Sequence, residues 1–294
     1  MVVVFTLLVM NASCNKKEQK QAGPPPAPVT VGVVTQKAVP LQIRVIGNVE
    51  ASSTVAIKAQ IGGVLTKVHF SEGKDVNRGD VLFTIDPRPY EAALKQAEAN
   101  LARSRSQLDN ARAEEKRYAE LVRKGYVSQT QYEQVRTNAE ALDATSQADR
   151  AVVENARLNL QYCTIRAPFG GRTGSLIVDE GNLIKTNADT AMVTINQIRP
   201  VHVGFSVPEK DLPEIKKYMA KGALSVEAYL PQDEENSIRG RLAFIENTVD
   251  AATGTIRLKG FFDNGDLRLW PGQFVNVVLT LSVQKDAVVV ETRA

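Results

Sequence analysis

Apolar and polar residues alternate in two stretches that read almost alike, AIKAQIGG from Ala56 to Gly63 and TIRAPFGG from Thr164 to Gly171. The likeness continues past the glycines. Glu72 and Gly73 recur as Glu180 and Gly181 at the same offset, and FTI at Phe83 to Ile85 recurs as VTI at Val193 to Ile195, the second copy being two residues longer in between. Alternation broken by Gly, Asn and Asp predicts short half-buried strands joined by tight turns. A unit of roughly thirty-five residues buries too little apolar surface to stand alone. The two copies are therefore expected to pack on each other as one domain split in two.

Between the copies the period changes. Apolar or small residues recur at alternating steps of four and three through Tyr90, Leu94, Ala97, Leu101, Ser104, Leu108, Ala111, Glu115, Tyr118 and Val122. They do so again through Tyr132, Val135, Ala139, Leu142, Ser146, Asp149, Val153, Ala156 and Leu160. Such steps hold one stripe on a slightly underwound helix and predict two coiled-coil strands. Pro87 and Pro89 mark the entry to the first. In KGYVSQTQ, Gly125 suits a helix C-terminus and Ser128 with Gln131 matches a capping box, so the chain turns there and returns. Pairing the stripes about Gly125 sets Leu108 against Leu142 and Ser104 against Ser146; extended further, the same centre sets Ile85 opposite Ile165. Each helix of about thirty-five residues would project roughly 50 Å. A rigid spacer with no binding role is the alternative to a binding arm.

From Gln197 to about Ser282, strand patterns such as VHVGFSV, LSVEAYL and RGRLAFIENTV alternate with turns, with one helix-like stretch, EKDLPEIKKYMAKG. Gly272 in WPGQ is expected to turn the chain before a last strand. At the other end, MVVVFTLLVMNASC is apolar, too short to span a bilayer, and ends in small residues before Cys14, as an export signal does. It resembles a lipoprotein signal, in which that cysteine becomes acylated, although Asn11 stands where an aliphatic residue is usual. A plain signal peptide or a shortened anchor helix is the alternative. The polar stretch that follows ends in GPPPAP and suits an extended tether over residues 15–28.

Composition removes several function classes. A formal charge of +3 and sparse aromatics give no nucleic-acid signature. The histidines are His69 and His202, both in strand-like alternation and without metal-ligand spacing, so no metal site or cofactor is expected. No nucleophile elbow, P-loop or dinucleotide fingerprint is present, and GGRTG at Gly170 to Gly174 belongs to the repeated turn. Glu114 and Glu115 lie on the helical arm. The chain is expected not to be an enzyme. Cys163, in the strand leading into the second copy, reads as a buried inert thiol.

A small β domain of two copied halves with a helical hairpin between them resembles the periplasmic adaptor, or membrane fusion, family of efflux pumps. The resemblance covers nearly everything after Pro28. It implies a mixed, multi-domain α+β fold: an antiparallel coiled-coil α-hairpin (87–162) inserted in a split lipoyl-like β domain (51–86 and 163–196), followed by a β-barrel domain (197–282). Residues 29–50 would supply strands to the barrel and to a membrane-proximal domain, of which 283–294 would be the truncated start. Residues 1–14 would be the signal and lipoprotein segment. In lipoyl or biotinyl carriers the halves are joined by a turn bearing a modified lysine. Here IDPRPY leads into the helix instead, which disfavours covalent carriage.

The family's hairpin tip carries an arginine, a leucine four on and a serine seven further, matched here by Arg117, Leu121 and Ser128 in KRYAELVRKGYVS. In the family these residues dock onto the helical tip of a TolC-type outer-membrane channel. A salt-bridging arginine, a leucine beside the seam and a simple N-cap would also account for them. The resemblance further implies a homo-hexamer, anchorage to the inner membrane through Cys14, and an inner-membrane partner. The barrel phrasing, VDAATGTIRLKGFFDNGDLRLWPGQFVNVVL, is nearest to adaptors of proton-driven resistance-nodulation-division (RND) transporters, with adaptors of ABC exporters as the rival. The exported substrate, drugs or other small molecules, is not written in the chain.

Overall fold

A computed structural model of the chain describes residues 33–186 and 189–290. The expected acylation site Cys14, its signal segment and the tether at 15–28 lie outside the described residues. The chain forms two units, residues 40–282 and a smaller one to which residues 33–39 and 283–290 belong. In the smaller unit the Gln36 side-chain amide donates to the carbonyl of Asp286 at 3.5 Å.

The repeated stretches fold into eight short strands, four from each copy. The first copy gives β2 (Thr54–Ile57), β3 (Gly63–Val68), β4 (Asp75–Val76) and β5 (Val81–Ile85), and the second gives β6 (Thr164–Arg166), β7 (Gly171–Thr173), β8 (Leu183–Ile184) and β9 (Val193–Asn196). One sheet has the order β2-β9-β7-β4 and the other β6-β5-β3-β8. Replacing each strand by its counterpart in the other copy turns the first sheet into the second. The two halves are thus interleaved strand by strand, and neither owns a sheet. Leu65, Leu82, Phe83, Ile85, Val193 and Ile195 lie fully buried in their common core.

The recurring glutamates and glycines serve this exchange. The Glu180 carboxylate accepts from the backbone N–H of Val68 at 2.7 Å, and the Glu72 carboxylate accepts from that of Leu176, the residue equivalent to Val68. Gly181 N–H donates to Leu65 O at 2.8 Å, and Gly73 N–H to the equivalent Thr173 O at 3.1 Å. Both glycines have left-handed φ, 69° at Gly73 and 89° at Gly181, which a side chain would oppose. Each copy therefore carries the groups that satisfy backbone donors and acceptors of the other.

Two long helices separate the copies, α1 (Arg88–Arg123) and α2 (Gln129–Tyr162). Ala97, Ser104, Leu108 and Ala111 are buried on α1, and Ala139, Ser146 and Val153 on α2, all of them predicted stripe positions. Arg112 pairs with Asp143 at 2.8 Å and Arg157 with Glu98 at 3.5 Å. The step from Glu98 forward to Arg112 equals the step from Arg157 back to Asp143, so the antiparallel register does not slip between the two pairs. At the base Tyr90 turns its hydroxyl onto Gly62 O at 2.7 Å, joining α1 to the turn before β3.

The register extrapolated into the strands is corrected by the ladder. Ile165 pairs with Phe83 and Thr164 with Thr84, while the N–H of Ile85 donates to Cys163 O at 2.8 Å. The connections explain the shift: Asp86 and Pro87 separate β5 from α1, but Cys163 alone separates α2 from β6. Cys163 is also the C-cap of α2 rather than a strand residue. It is buried, its Sγ points to Asn159 O at 3.7 Å, and burial pushes its thiol pKa up, which fits an inert group.

A six-stranded closed barrel completes the larger unit. Its strands are β1 (Thr35–Ala51), β10 (Val201–Pro208), β11 (Ser225–Leu230), β12 (Asp233–Asp250), β13 (Thr255–Phe262) and β14 (Phe274–Val289), in the order β1-β10-β13-β12-β11-β14. Val201, Val203, Phe205 and Val207 point inward from β10 and meet Leu258 and Phe262 of β13 in the core, which α3 (Leu212–Met219) plugs with fully buried Ile215. Gly272 has φ 91° and donates its N–H to Val49 O at 2.8 Å, fixing the turn into β14. Space is open around it, so the conformation alone excludes a side chain. Gly272→Val should cost about 1–2 kcal/mol and lower the melting temperature by roughly 2–8 °C; an unchanged melting curve would remove this role.

Candidate docking tip

The turn between α1 and α2 is fixed at both ends by backbone and capping hydrogen bonds. Tyr126 N–H donates to Leu121 O at 3.0 Å and Gly125 N–H to Val122 O at 3.0 Å, with Gly125 at φ 75°. These two bonds are a Schellman closure of α1. Across the turn Ser128 caps α2: its Oγ accepts from Gln131 N–H at 3.3 Å, and its own N–H donates to Gln131 Oε1 at 3.1 Å. The capping box read from the sequence is present. A turn tied this way presents a defined backbone shape to a partner.

Arg117 and Leu121 lie one helical turn apart on α1, and Ser128 opens α2, so all three predicted residues sit at the same end of the helical pair. All three are exposed. Leu121 is 36% exposed, whereas its seam neighbour Val122 is half-buried. Ion pairs made by the described residues of the helices join Arg88 to Asp86, Arg112 to Asp143, Arg136 to Glu140, Arg150 to Glu154 and Arg157 to Glu98, and Arg117 is in none of them. Its five donors face solvent and can meet backbone carbonyls or a carboxylate.

Tyr126, which no sequence motif singles out, is 74% exposed, and its N–H closes the turn on Leu121. It falls outside the heptad stripe, and the usable signal was its place directly after Gly125, where the Schellman motif brings a side chain toward the last turn of the helix. The tip therefore offers an aromatic, an aliphatic and a guanidinium on a fixed turn, a composition suited to docking.

Chemistry of other kinds is thin. His69 Nε2 lies 2.8 Å from Thr84 Oγ1, and His202 packs edge-on against Phe261. Among the described residues no group of His, Cys, Asp and Glu could hold a metal ion, and no helix is long and apolar enough to cross a membrane.

Residues 53–196 match the family model for the barrel-sandwich hybrid domain of RND membrane fusion proteins (MFPs), and residues 200–283 match that for the β-barrel domain of RND MFPs. The chain belongs to the RND membrane fusion protein family. Relatives include the multidrug resistance protein MdtA of Erwinia amylovora, 38% identical over 96% of this chain and 70% of that protein, and MdtA of Yersinia enterocolitica, 38% identical over 92% and 62%. The chain thus spans about two-thirds of the length of these relatives. Among solved structures, a MacA-MexA chimera containing the Pseudomonas aeruginosa MexA α-hairpin domain aligns with TM-score 0.67 and 24% identity, covering 88% of this chain and 87% of the chimera. A putative efflux transporter from Bacteroides eggerthii aligns with TM-score 0.62 and 19% identity over 90% and 77%. These two likenesses concern the fold. Membrane fusion proteins are adaptors rather than catalysts, in keeping with the absence of a catalytic signature in the sequence.

Proposed function

We propose that this membrane fusion protein is the periplasmic adaptor of a tripartite efflux pump, linking an inner-membrane RND transporter to a TolC-type outer-membrane channel. The exported cargo is drugs or other small molecules. The helical pair is the arm, a coiled-coil hairpin carried by a split lipoyl-like body at 51–86 and 163–196. The barrel at 197–282 faces the transporter, and Cys14 is the lipid anchor to the inner membrane. Six copies side by side make a sleeve, and its work is to bind and to transmit motion.

The observation that carries this reading is the tip: a pre-shaped turn on which Arg117, Leu121 and Tyr126 stand exposed, at the far end of two long helices in a chain of this family. A plain spacer has no use for an exposed leucine beside an exposed tyrosine. The test is in-cell crosslinking from Leu121→Cys in a Cys163→Ser background, with the adducts identified by mass spectrometry. Capture of an outer-membrane channel supports docking through the tip. Capture of nothing but copies of the chain itself would overturn it in favour of the spacer.

A further inference from the structure

We propose that Asp75, Arg172, Arg199 and Trp270 form a clasp that holds the two-sheet domain and the barrel at one fixed angle, so that both move as a single body. The chain crosses between these domains twice, at Ser52 and Ser53 and again from Gln197 to Pro200. The crossings are hydrogen-bonded to each other: Ser52 N–H donates to Gln197 O at 3.0 Å, and Gln197 N–H to Ser53 O at 2.8 Å. A two-stranded ribbon resists stretching but still allows bending and twisting about its own line. A fixed angle requires contacts off that line, and the structure supplies them.

Asp75 belongs to β4 of the two-sheet domain. One of its carboxylate oxygens accepts from Arg172 Nε at 2.7 Å and the other from a terminal nitrogen of Arg199 at 2.7 Å. Arg172 stands on β7 of the same domain, whereas Arg199 lies in the crossing itself. The Arg172 guanidinium in turn lies over the ring of Trp270, 5.3 Å from its centroid, and Trp270 belongs to the loop between β13 and β14 of the barrel. One carboxylate thus orients two cations, of which one holds the crossing and the other holds the barrel. The hydrogen bond from Arg172 is the main cause that holds the Asp75 carboxyl below its ordinary pKa.

The barrel side of the contact is itself fixed. Asn264 is buried, and its amide donates to Ile198 O at 2.8 Å and to Leu269 O at 2.9 Å, while its oxygen accepts from Leu269 N–H at 3.0 Å. It ties the crossing at Ile198 to the residue before Trp270. Neither Ile198 nor Leu269 can leave without stranding a buried amide. An exposed ion pair alone would contribute little. Here the partners stand on two paired strands, a crossing and a loop that are already held in place, and that makes their geometry persistent.

Trp270 is the chain's one tryptophan, so its fluorescence reports the clasp directly. The test places spin labels at Lys67 in the two-sheet domain and Lys217 in the barrel of the full chain, both positions exposed, in a Cys14→Ser, Cys163→Ser background. The parent is expected to give one narrow distance distribution. Asp75→Asn and Arg172→Ala should broaden it and raise acrylamide quenching of Trp270, and Arg172→Lys, which keeps the charge but not the planar stack, should do so in part. A broad distribution in the parent would overturn the clasp, as would an unchanged distribution in Asp75→Asn. If Asp75→Asn fails to fold, Arg172→Lys decides: no change in distance or quenching there overturns the proposal. The readout is intramolecular, so its failure leaves the adaptor reading intact, and a failed channel crosslink leaves the clasp intact.

Discussion

Gly171→Val should unfold the two-sheet domain more readily than any conservative change in its core. A Cβ at this position would sit 2.6 Å from the carbonyl oxygen of Asn196 and 3.0 Å from a methyl carbon of Ile195. The first of these is backbone, and it belongs to a strand paired on both sides, since β9 lies between β2 and β7. The strand cannot move away without breaking a ladder on one flank. Overpacking of this kind costs about 3 kcal/mol, equivalent to a fall of roughly 6–12 °C in melting temperature. The equivalent glycine of the first copy, Gly63, has φ 153° and would set a Cβ 2.6 Å from a methyl carbon of Ile85. That φ opposes any side chain and Ile85 is fully buried, so Gly63→Ala should also destabilise; it is the milder change because it adds one carbon rather than three. Thermal melts of Gly171→Val and Gly63→Ala, read by circular dichroism at β wavelengths, check this order; equal stability to the parent for Gly171→Val would show that β7 and β9 can separate there.

These glycines illustrate what the sequence reveals and what it hides. Their recurrence at the same place in two copies is visible by eye, and so is the inference that the halves pack on each other. That they exchange strands is not visible, because strand partners are chosen by contacts distant in sequence, and alternation states only which face is inward. Glu72 and Glu180 were legible as a repeat, yet their role was not: each carboxylate reaches a backbone donor of the opposite copy. The helices were the most legible part. Their stripe depends on residues three and four apart, so Ala97, Ser104, Leu108, Ala139 and Ser146 are buried as the heptad predicts. That legibility ends where the helices do. Carrying their centre into the strands misplaced Ile85 opposite Ile165, because connections of unequal length shift a register that a helical period cannot see.

At the tip, Arg117, Leu121 and Ser128 came from a motif, whereas Tyr126 emerges only from the hydrogen bonds that close α1. The contact of Arg172 with Trp270 had no signal at all. It joins residues almost a hundred positions apart through a loop whose path is set by buried Asn264. Local patterns therefore located the arm, and the joint at its root required the three-dimensional arrangement.

Leu121→Asp should abolish channel docking, and with it efflux, while leaving the fold close to intact. Leu121 is partly exposed and lies outside the seam, so little buried surface is lost. Asp is a poorer helix former than Leu by about half a kcal/mol, and a carboxylate near a helix C-terminus costs a further 0.3–1 kcal/mol or so. Both losses fall on the last turn of α1, which the Schellman bonds from Gly125 and Tyr126 continue to hold. In a docked state the same change puts a carboxylate into the centre of an apolar contact. Losing a central contact residue costs about 2 kcal/mol or more, close to thirtyfold in affinity for each copy, and the loss compounds when several copies bind one channel. Leu121→Ala, which removes the side chain without adding charge, should weaken efflux less. The measurement is drug efflux in cells at protein levels matched to the parent, alongside a melting curve of the purified variant. Normal efflux by Leu121→Asp would remove the tip from the docking surface, whereas lost efflux with a melting temperature lowered by no more than a few degrees would leave docking as the function that failed.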